Sequence, residues 1–162
     1  MFSVLFPGQG SQIIGMGKEF YENFDYVKNY FSQADEILKK KLSHIILEGP
    51  RDDLNQTENT QPAIFLVSFA IFKVLEKETE FNLFDAKFYA GHSLGEYSAL
   101  CCADSINFEQ TIELLKSRGK AMQNAMPNGE GGMMAILGAD IETINEIFKE
   151  NNQLQCYVAN DN

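Results

Sequence analysis

Residues 87–102 read KFYAGHSLGEYSALCC, and this stretch determines the fold class. Lys87–Ala90 has the short apolar pattern of a buried strand, and Glu96–Cys102 has the pattern of a helix. Between them, Gly91–Gly95 is a tight turn that matches G-x-S-x-G. In a sharp strand-to-helix turn of this kind the serine is lifted clear of the sheet, and small flanking residues relieve crowding. We therefore predict an α/β fold in which Ser93 is an exposed nucleophile.

The segments before this turn fit the same fold class. Ser3–Phe6 predicts a short buried strand, which runs into a glycine-rich turn, PGQGSQ, at residues 7–12. Apolar residues recur at helical spacing from Asp25 to about Leu42. A strongly apolar helix is predicted from Thr60 to about Lys77, because Pro62 fits the first turn of a helix. Its apolar positions extend around most of the helix, so it should be largely buried.

A further helix is expected after the turn, followed by a boundary. Asn107 caps this helix, with Gln110 at the capping-box position, and the helix runs to about Met126. Residues 127–132 read PNGEGG, which is the clearest boundary in the chain. We therefore predict one domain over residues 1–127 and the beginning of another over residues 128–162.

The last part of the chain has the pattern of a βαβ unit. Met133–Leu137 and Gln155–Ala159 are predicted strands, and about Ile141–Glu150 is a predicted helix. A lone βαβ unit leaves strand edges and a sheet face uncovered. We therefore interpret residues 128–162 as half of a subdomain.

Charge and composition exclude several classes of function. The net charge is -10, from 13 basic and 23 acidic residues, which argues against a nucleic-acid-binding protein. No apolar run approaches the roughly 18–20 residues that cross a bilayer, and the start resembles no signal peptide, so a cytoplasmic or organelle-matrix setting is expected, the cytoplasm first. Cys101, Cys102 and Cys156 show no metal-ligand spacing, and we expect reduced thiols and no metal.

A serine nucleophile needs a base that takes its proton. The chain has two histidines, His44 and His92. His44 lies far upstream, and the side chain of His92 should diverge from that of its neighbour Ser93. Either a lysine or a carboxylate is the base, or the catalytic histidine lies beyond Asn162.

Four motifs stand in order along the chain: FPGQGSQ (6–12), TQPA (60–63), GHSLGEYSA (91–99) and SRGKAMQ (117–123). Together they resemble the malonyl-CoA:acyl-carrier-protein transacylases of fatty-acid synthesis. The resemblance implies an α/β-hydrolase-like large subdomain with an inserted ferredoxin-like subdomain, both incomplete in this chain. It also implies that the catalytic histidine is absent from these residues, so we expect the 162-residue chain to be inactive alone.

The resemblance assigns roles to particular residues. It implies that Ser93 is the nucleophile and that the backbone N–H groups of Gln9 and Leu94 form the oxyanion hole. Arg118 would bind the malonyl carboxylate, which its planar guanidinium matches with two hydrogen bonds. The remaining implied binding residues are Gln61 and His92, which would line the site, and Asn160 and Asn162, which would lie near the thioester.

The implied activity is a ping-pong transfer of a malonyl group from coenzyme A to the phosphopantetheine thiol of acyl-carrier protein. Malonyl-CoA and acyl-carrier protein are therefore the expected partners, with no nucleic acid and no membrane. The coenzyme A thioester is the substrate, and no bound cofactor or metal is expected. The full-length protein is expected to be a monomer.

Three alternatives share some of these features. A serine thioesterase or esterase has the same turn, although GQGSQ and Arg118 argue against it. The acyltransferase domain of a polyketide synthase is the second, although a start at Met1, shortly before Gly8, is expected to leave no room for an upstream domain. The third is a non-catalytic truncated paralogue that binds the carrier protein.

Overall fold

A computed structural model of the protein describes residues 1–125, 131–151 and 156–161. The chain divides into two compact units, Met1–Asn128 and Gly129–Asn162. In the described ranges, no helix has the length and apolarity that crossing a membrane requires.

The first unit combines a small sheet with a set of helices. Its strands are β1 (Ser3–Phe6) and β2 (Phe88–Gly91). Its helices are α1 (Lys18–Asn23), α2 (Asp25–Leu38), α3 (Leu42–Leu47), α4 (Arg51–Asn55), α5 (Thr57–Glu78), α6 (Gly95–Cys102) and α7 (Phe108–Ala125), with a 3₁₀ turn at Leu83–Asp85.

The two strands pair in parallel, with Phe6 opposite Gly91. Their carboxyl ends therefore lie at the same edge of the sheet, where ligands bind in open α/β folds. The glycine-rich loop follows β1 at this edge, and the turn around Ser93 follows β2. The predicted α/β class is confirmed, and β2 lies one residue later than the strand predicted at Lys87–Ala90.

The core is built around α5, which is buried along most of its length as predicted. Phe108 of α7 stacks on Phe65 and Phe69 of α5, with ring centroids 5.6 and 4.9 Å apart. The helix begins at Thr57 rather than Thr60, so Pro62 lies inside it. Inside a helix a proline removes one hydrogen bond of the ladder and crowds the carbonyl four residues earlier, which here is that of Glu58.

One predicted helix is divided in two. Its pattern runs from Asp25 to about Leu42, but α2 ends at Leu38 and Leu42 begins α3. Lys39 adopts a left-handed conformation, with φ of 51°, which stops the helix. The buried Asp35 carboxylate then accepts hydrogen bonds from the backbone N–H and hydroxyl of Ser43, at 2.8 and 2.7 Å, which ties α3 to α2.

In the second unit the predicted helix is confirmed as α8 (Ile141–Glu150), where Asp140 caps the helix by accepting a hydrogen bond from the Thr143 N–H. The strands predicted at Met133–Leu137 and Gln155–Ala159 are wrong over the residues that the structure describes, which exclude Gln155. A strand needs a hydrogen-bonded partner, and neither segment finds one among the described residues.

The predicted boundary at residues 127–132 lies outside the described residues except for Gly131 and Gly132. The interpretation of this unit as half of a ferredoxin-like subdomain stays a prediction.

Candidate active site

The turn between β2 and α6 holds Ser93 in an uncommon backbone conformation. Ser93 has φ of 55°, which costs a non-glycine residue about 1–2 kcal/mol. Glycines are needed on both sides, because a Cβ on Gly91 would collide with the backbone of Gly95. A Cβ on Gly95 would lie 2.5 Å from the carbonyl oxygen of Phe6. The result is an exposed serine on a tightly packed turn.

The glycine-rich loop after β1 packs against this turn. The His92 N–H donates to the Phe6 carbonyl over 3.1 Å, and a Cβ on Gly8 would collide with the His92 imidazole. Gln9, the next residue, is exposed, whereas the Leu94 side chain is buried. In the described part of the chain, neither the Gln9 nor the Leu94 backbone N–H donates a hydrogen bond. Unsatisfied N–H groups suit an oxyanion hole, so this role stays a prediction with physical support.

Arg118 on α7 contacts the serine directly. Its Nη2 donates to Ser93 Oγ over 3.0 Å, and its Nη1 donates to Gln61 Oε1 over 2.8 Å. The structure therefore brings together three of the residues singled out from the sequence, although they lie on α5, α7 and the turn before α6.

A close approach of two helices brings Arg118 to this position. Gly119 is buried against the start of α5, where a Cβ would lie 2.7 Å from both the Glu58 Cα and the Thr57 carbonyl oxygen. Only glycine allows the two backbones to approach this closely. Gln61, one turn further along α5, then meets Arg118.

Two contact residues were missed from the sequence. The Arg118 guanidinium carbon lies 5.8 Å from the centroid of the Tyr97 ring, a cation–π distance. Met122 Sδ accepts a hydrogen bond from Gln61 Nε2 over 3.1 Å. Met122 lies four residues after Arg118 on α7, and this spacing, which places two residues on one face of a helix, was the available signal for Met122. No such spacing indicated Tyr97, because Ser93 lies on the turn before α6.

The charge of Arg118 has no acidic partner in the described ranges, where none of the ion pairs involves its guanidinium. The group is half-buried, and its remaining N–H groups are available to an external anion. The site therefore combines a serine hydroxyl with a guanidinium, and a guanidinium is a group that pairs well with carboxylates.

A base for Ser93 is not found among the described residues, where Arg118 is the hydrogen-bond partner of Oγ and a guanidinium cannot accept a proton. His44 is exposed on α3, and the His92 side chain forms no hydrogen bond with Ser93. The prediction that the catalytic histidine is absent from this chain stays open.

The sequence also singled out two asparagines near the end of the chain and the cysteines. Asn160 belongs to the second unit, and Asn162 lies outside the described residues, so their roles stay predictions. Cys101 and Cys102 are free, buried thiols, as predicted. In the ranges that the structure describes, no group of three histidine, cysteine or acidic side chains is arranged to hold a metal ion.

Fold and site together define an α/β protein with a serine on a strand-to-helix turn beside an arginine. The family described as acyl transferase domain matches residues 4–162, and the chain belongs to this family. It is 49% identical over 143 residues to the malonyl CoA-acyl carrier protein transacylase of Bacillus subtilis, covering 88% of this chain and 44% of that protein. With the same enzyme of Escherichia coli K12 it shares 40% identity over 149 residues, covering 92% and 47%.

Solved structures agree with these relatives. An acyl-carrier-protein S-malonyltransferase from Bartonella henselae superposes with a TM-score of 0.90 at 47% identity, covering 100% of this chain and 52% of that one. A malonyl-transacylase in complex with its type II PKS acyl-carrier protein superposes with a TM-score of 0.85 at 43% identity, covering 94% and 48%. The chain spans about half the length of the curated relatives it matches.

Proposed function

We propose that the whole protein transfers a malonyl group from coenzyme A to the phosphopantetheine thiol of acyl-carrier protein, through an ester on Ser93. The observation that carries this proposal is the 3.0 Å contact between Arg118 Nη2 and Ser93 Oγ. In a malonyl ester on Oγ, the ester carbonyl carbon and one methylene carbon separate the serine oxygen from the free carboxylate. That carboxylate is within reach of a guanidinium that already touches Oγ. A half-buried guanidinium that has no acidic partner among the described residues favours it.

The first half-reaction forms the ester. Ser93 Oγ loses its proton to a base and attacks the thioester carbonyl carbon. The oxyanion that develops accepts hydrogen bonds from the Gln9 and Leu94 N–H groups. The carbon–sulfur bond then breaks, and coenzyme A leaves as a thiol after taking the proton.

The second half-reaction reverses the order of bonds. The phosphopantetheine thiol loses its proton to the base and attacks the ester carbonyl, and the bond to Ser93 Oγ breaks as the serine recovers a proton. Arg118 holds the malonyl carboxylate in both half-reactions, which orients the acyl group. Water must be kept from the ester, because its attack would release free malonate.

Several further features belong to the same proposal. The base is a histidine outside these residues, His92 lines the site, and Asn160 and Asn162 lie near the thioester. The protein acts in the cytoplasm as a monomer, without a bound cofactor. Support comes from the relatives, whose names describe malonyl CoA-acyl carrier protein transacylases, and from the structure of a malonyl-transacylase bound to an acyl-carrier protein.

The test is to trap the ester in the whole protein. Radiolabelled malonyl-CoA should label the protein on the peptide that contains Ser93, and Ser93→Ala should remove the label. Addition of a carrier protein with its phosphopantetheine group should then move the label to that thiol.

Release of the label as free malonate, with none on the carrier, would instead identify a thioesterase. A protein that binds the carrier without being labelled would be the non-catalytic alternative.

A further inference from the structure

Gln61 is a polar side chain in α5, a helix that is buried along most of its length. Its exposed fraction is 0%, and it lies between the buried Thr60 and a run of buried apolar residues that begins at Pro62. A buried amide needs hydrogen-bond partners on both its oxygen and its nitrogen. Those partners are Arg118 Nη1 at 2.8 Å and Met122 Sδ at 3.1 Å, both on α7.

The chemistry of the two partners determines which way the amide faces. A guanidinium only donates, so Gln61 Oε1 must face Arg118. A thioether only accepts, so Gln61 Nε2 must face Met122. Arg118 and Met122 are four residues apart, which places them on the same face of α7. Both ends of the Gln61 amide are therefore bound by α7: the oxygen accepts from Arg118, and the nitrogen donates to Met122.

The neutrality of Gln61 matters for Arg118. A glutamate of nearly the same shape at this position would place a buried carboxylate at hydrogen-bond distance from Nη1, and the two charges would pair. An amide oxygen holds the same nitrogen without neutralising it. The positive charge is then left for an anion at Ser93, the neighbour of Nη2.

We propose that Gln61, oriented by Met122, is a specificity-determining positioning residue, which fixes Arg118 while preserving its charge for an acyl group that ends in a carboxylate. This inference rests on the proposed function, because it assumes that Arg118 binds the acyl carboxylate. Gln61 acts through Arg118 and need not touch the acyl group itself.

The experiment compares kcat/KM for malonyl-CoA and acetyl-CoA in the whole protein. Gln61→Glu should lower the malonyl value by about 100-fold or more, because the introduced carboxylate competes for the guanidinium. The acetyl value should stay within about threefold of the starting enzyme, since it does not depend on that charge. Gln110→Glu is the matched control, because it adds the same charge at the exposed capping position of α7. It should change neither value.

A second variant covers the case in which Gln61→Glu fails to fold. Met122 is 42% exposed, so Met122→Leu should fold, and it removes the sulfur acceptor with little change of shape. The malonyl-to-acetyl ratio should fall by about three- to tenfold, since Gln61 loses one of the contacts that orient it.

The outcomes separate the inference from the proposed function. The role of Gln61 is overturned if Arg118→Ala shifts the malonyl-to-acetyl ratio of kcat/KM but Gln61→Glu and Met122→Leu both leave that ratio unchanged. An equal loss on both substrates counts as an unchanged ratio. If Arg118→Ala leaves the ratio unchanged, the proposed function fails and this inference fails with it. A lower ratio in either variant, together with an unchanged Gln110→Glu control, supports the inference.

Discussion

Gly119 of α7 lies against the backbone of Glu58 at the start of α5, where a Cβ would be only 2.7 Å from the Glu58 Cα. The neighbour of Gly119 in sequence is Arg118, which reaches Ser93 from the same helix turn. The separation of α5 and α7 therefore determines where the guanidinium lies relative to Ser93.

Gly119→Ala tests this dependence. The added methyl group should push α5 and α7 apart, which should lower the free energy of unfolding by about 1–3 kcal/mol. The better helix propensity of alanine offsets up to about 1 kcal/mol of this loss. Thermal unfolding of the whole protein should shift to a lower temperature, and malonyl transfer should fall more than the stability loss explains. Gly132→Ala is the control, because a Cβ there meets nothing within 4 Å. If Gly119→Ala and Gly132→Ala change the unfolding temperature and malonyl transfer equally, the contact between α5 and α7 is contradicted.

The backbone at Ser93 should reveal its strain in stability measurements. Ser93→Gly relieves the left-handed conformation and Ser93→Ala does not, while both remove the hydroxyl. We expect Ser93→Gly to be more stable than Ser93→Ala by up to about 1 kcal/mol, because the relief exceeds the entropy cost of glycine. Denaturant titration measures the difference. The exposed Ser105 lacks a positive φ, so there we expect the alanine variant to be more stable than the glycine variant. If the glycine variant is the more stable one at neither site or at both sites, strain at Ser93 is refuted.

Buried thiols should make stability depend on pH. Burial raises the pKa of the Cys101 thiol and of the Cys102 thiol. Above about pH 8.5 the unfolded chain releases these protons and the folded chain retains them, so the free energy of unfolding should fall as pH rises. Each thiol contributes a slope of up to about 1.4 kcal/mol per pH unit.

The measurement is denaturant unfolding at several pH values between about 8 and 10. Cys102→Ala should make the decline shallower, whereas Cys156→Ser should leave it unchanged, because Cys156 is exposed. If the free energy of unfolding declines with pH equally in the unaltered protein, Cys102→Ala and Cys156→Ser, the buried thiols are excluded as the cause of the decline.

One face of the small sheet is apolar and exposed in these residues. Leu5 of β1 is 75% exposed and Phe88 of β2 is 59% exposed, while the alternate residues face the core. The 162-residue chain should therefore bind a hydrophobic dye. Dye fluorescence should fall in the double variant Leu5→Ser, Phe88→Ser and much less in Leu114→Ser on α7. A chain that binds no dye would show that this face is covered.

Sequence patterns predicted the elements that depend on local residues. The strand at Ser3–Phe6, the turn around Ser93 and the Asn107 cap follow from neighbours within a few positions. The strand predicted at Met133–Leu137 is not observed, because a strand depends on a distant partner that local pattern cannot supply. Likewise, the lysine at position 39 in a left-handed conformation ended α2 earlier than its apolar pattern indicated.

The candidate site was only partly accessible to the same reasoning. Ser93 and Arg118 lie in motifs that carry their chemistry, so they were found. The contact of Arg118 with Gln61, 57 residues away in the chain, depends on how α5 packs against α7. The contact of Met122 with Gln61 depends on the same packing, and the contact of Tyr97 with Arg118 depends on how α6 packs against α7.

Residues 1–162 by themselves should not catalyse turnover, because no base contacts Ser93 among the described residues. Loss of the base of a catalytic triad typically lowers the rate by about 1000-fold or more. Malonyl transfer to carrier protein by this chain and by the whole protein should be compared at equal concentration. Comparable rates would show that a base is present within these residues.

The central claim is that Arg118 selects an acyl group that ends in a carboxylate, and substrate selectivity measures it most directly. In the whole protein, kcat/KM for malonyl-CoA and acetyl-CoA should be compared in Arg118→Ala, Arg118→Lys and Arg51→Ala, the last being the exposed arginine of α4. We predict a loss of about 100-fold or more on malonyl-CoA for Arg118→Ala, with the acetyl-CoA value little changed or higher. Arg118→Lys should recover only part of the loss, since an ammonium cannot form the bidentate pair, and Arg51→Ala should behave as the unaltered protein. An equal loss on both substrates in Arg118→Ala would contradict the claim.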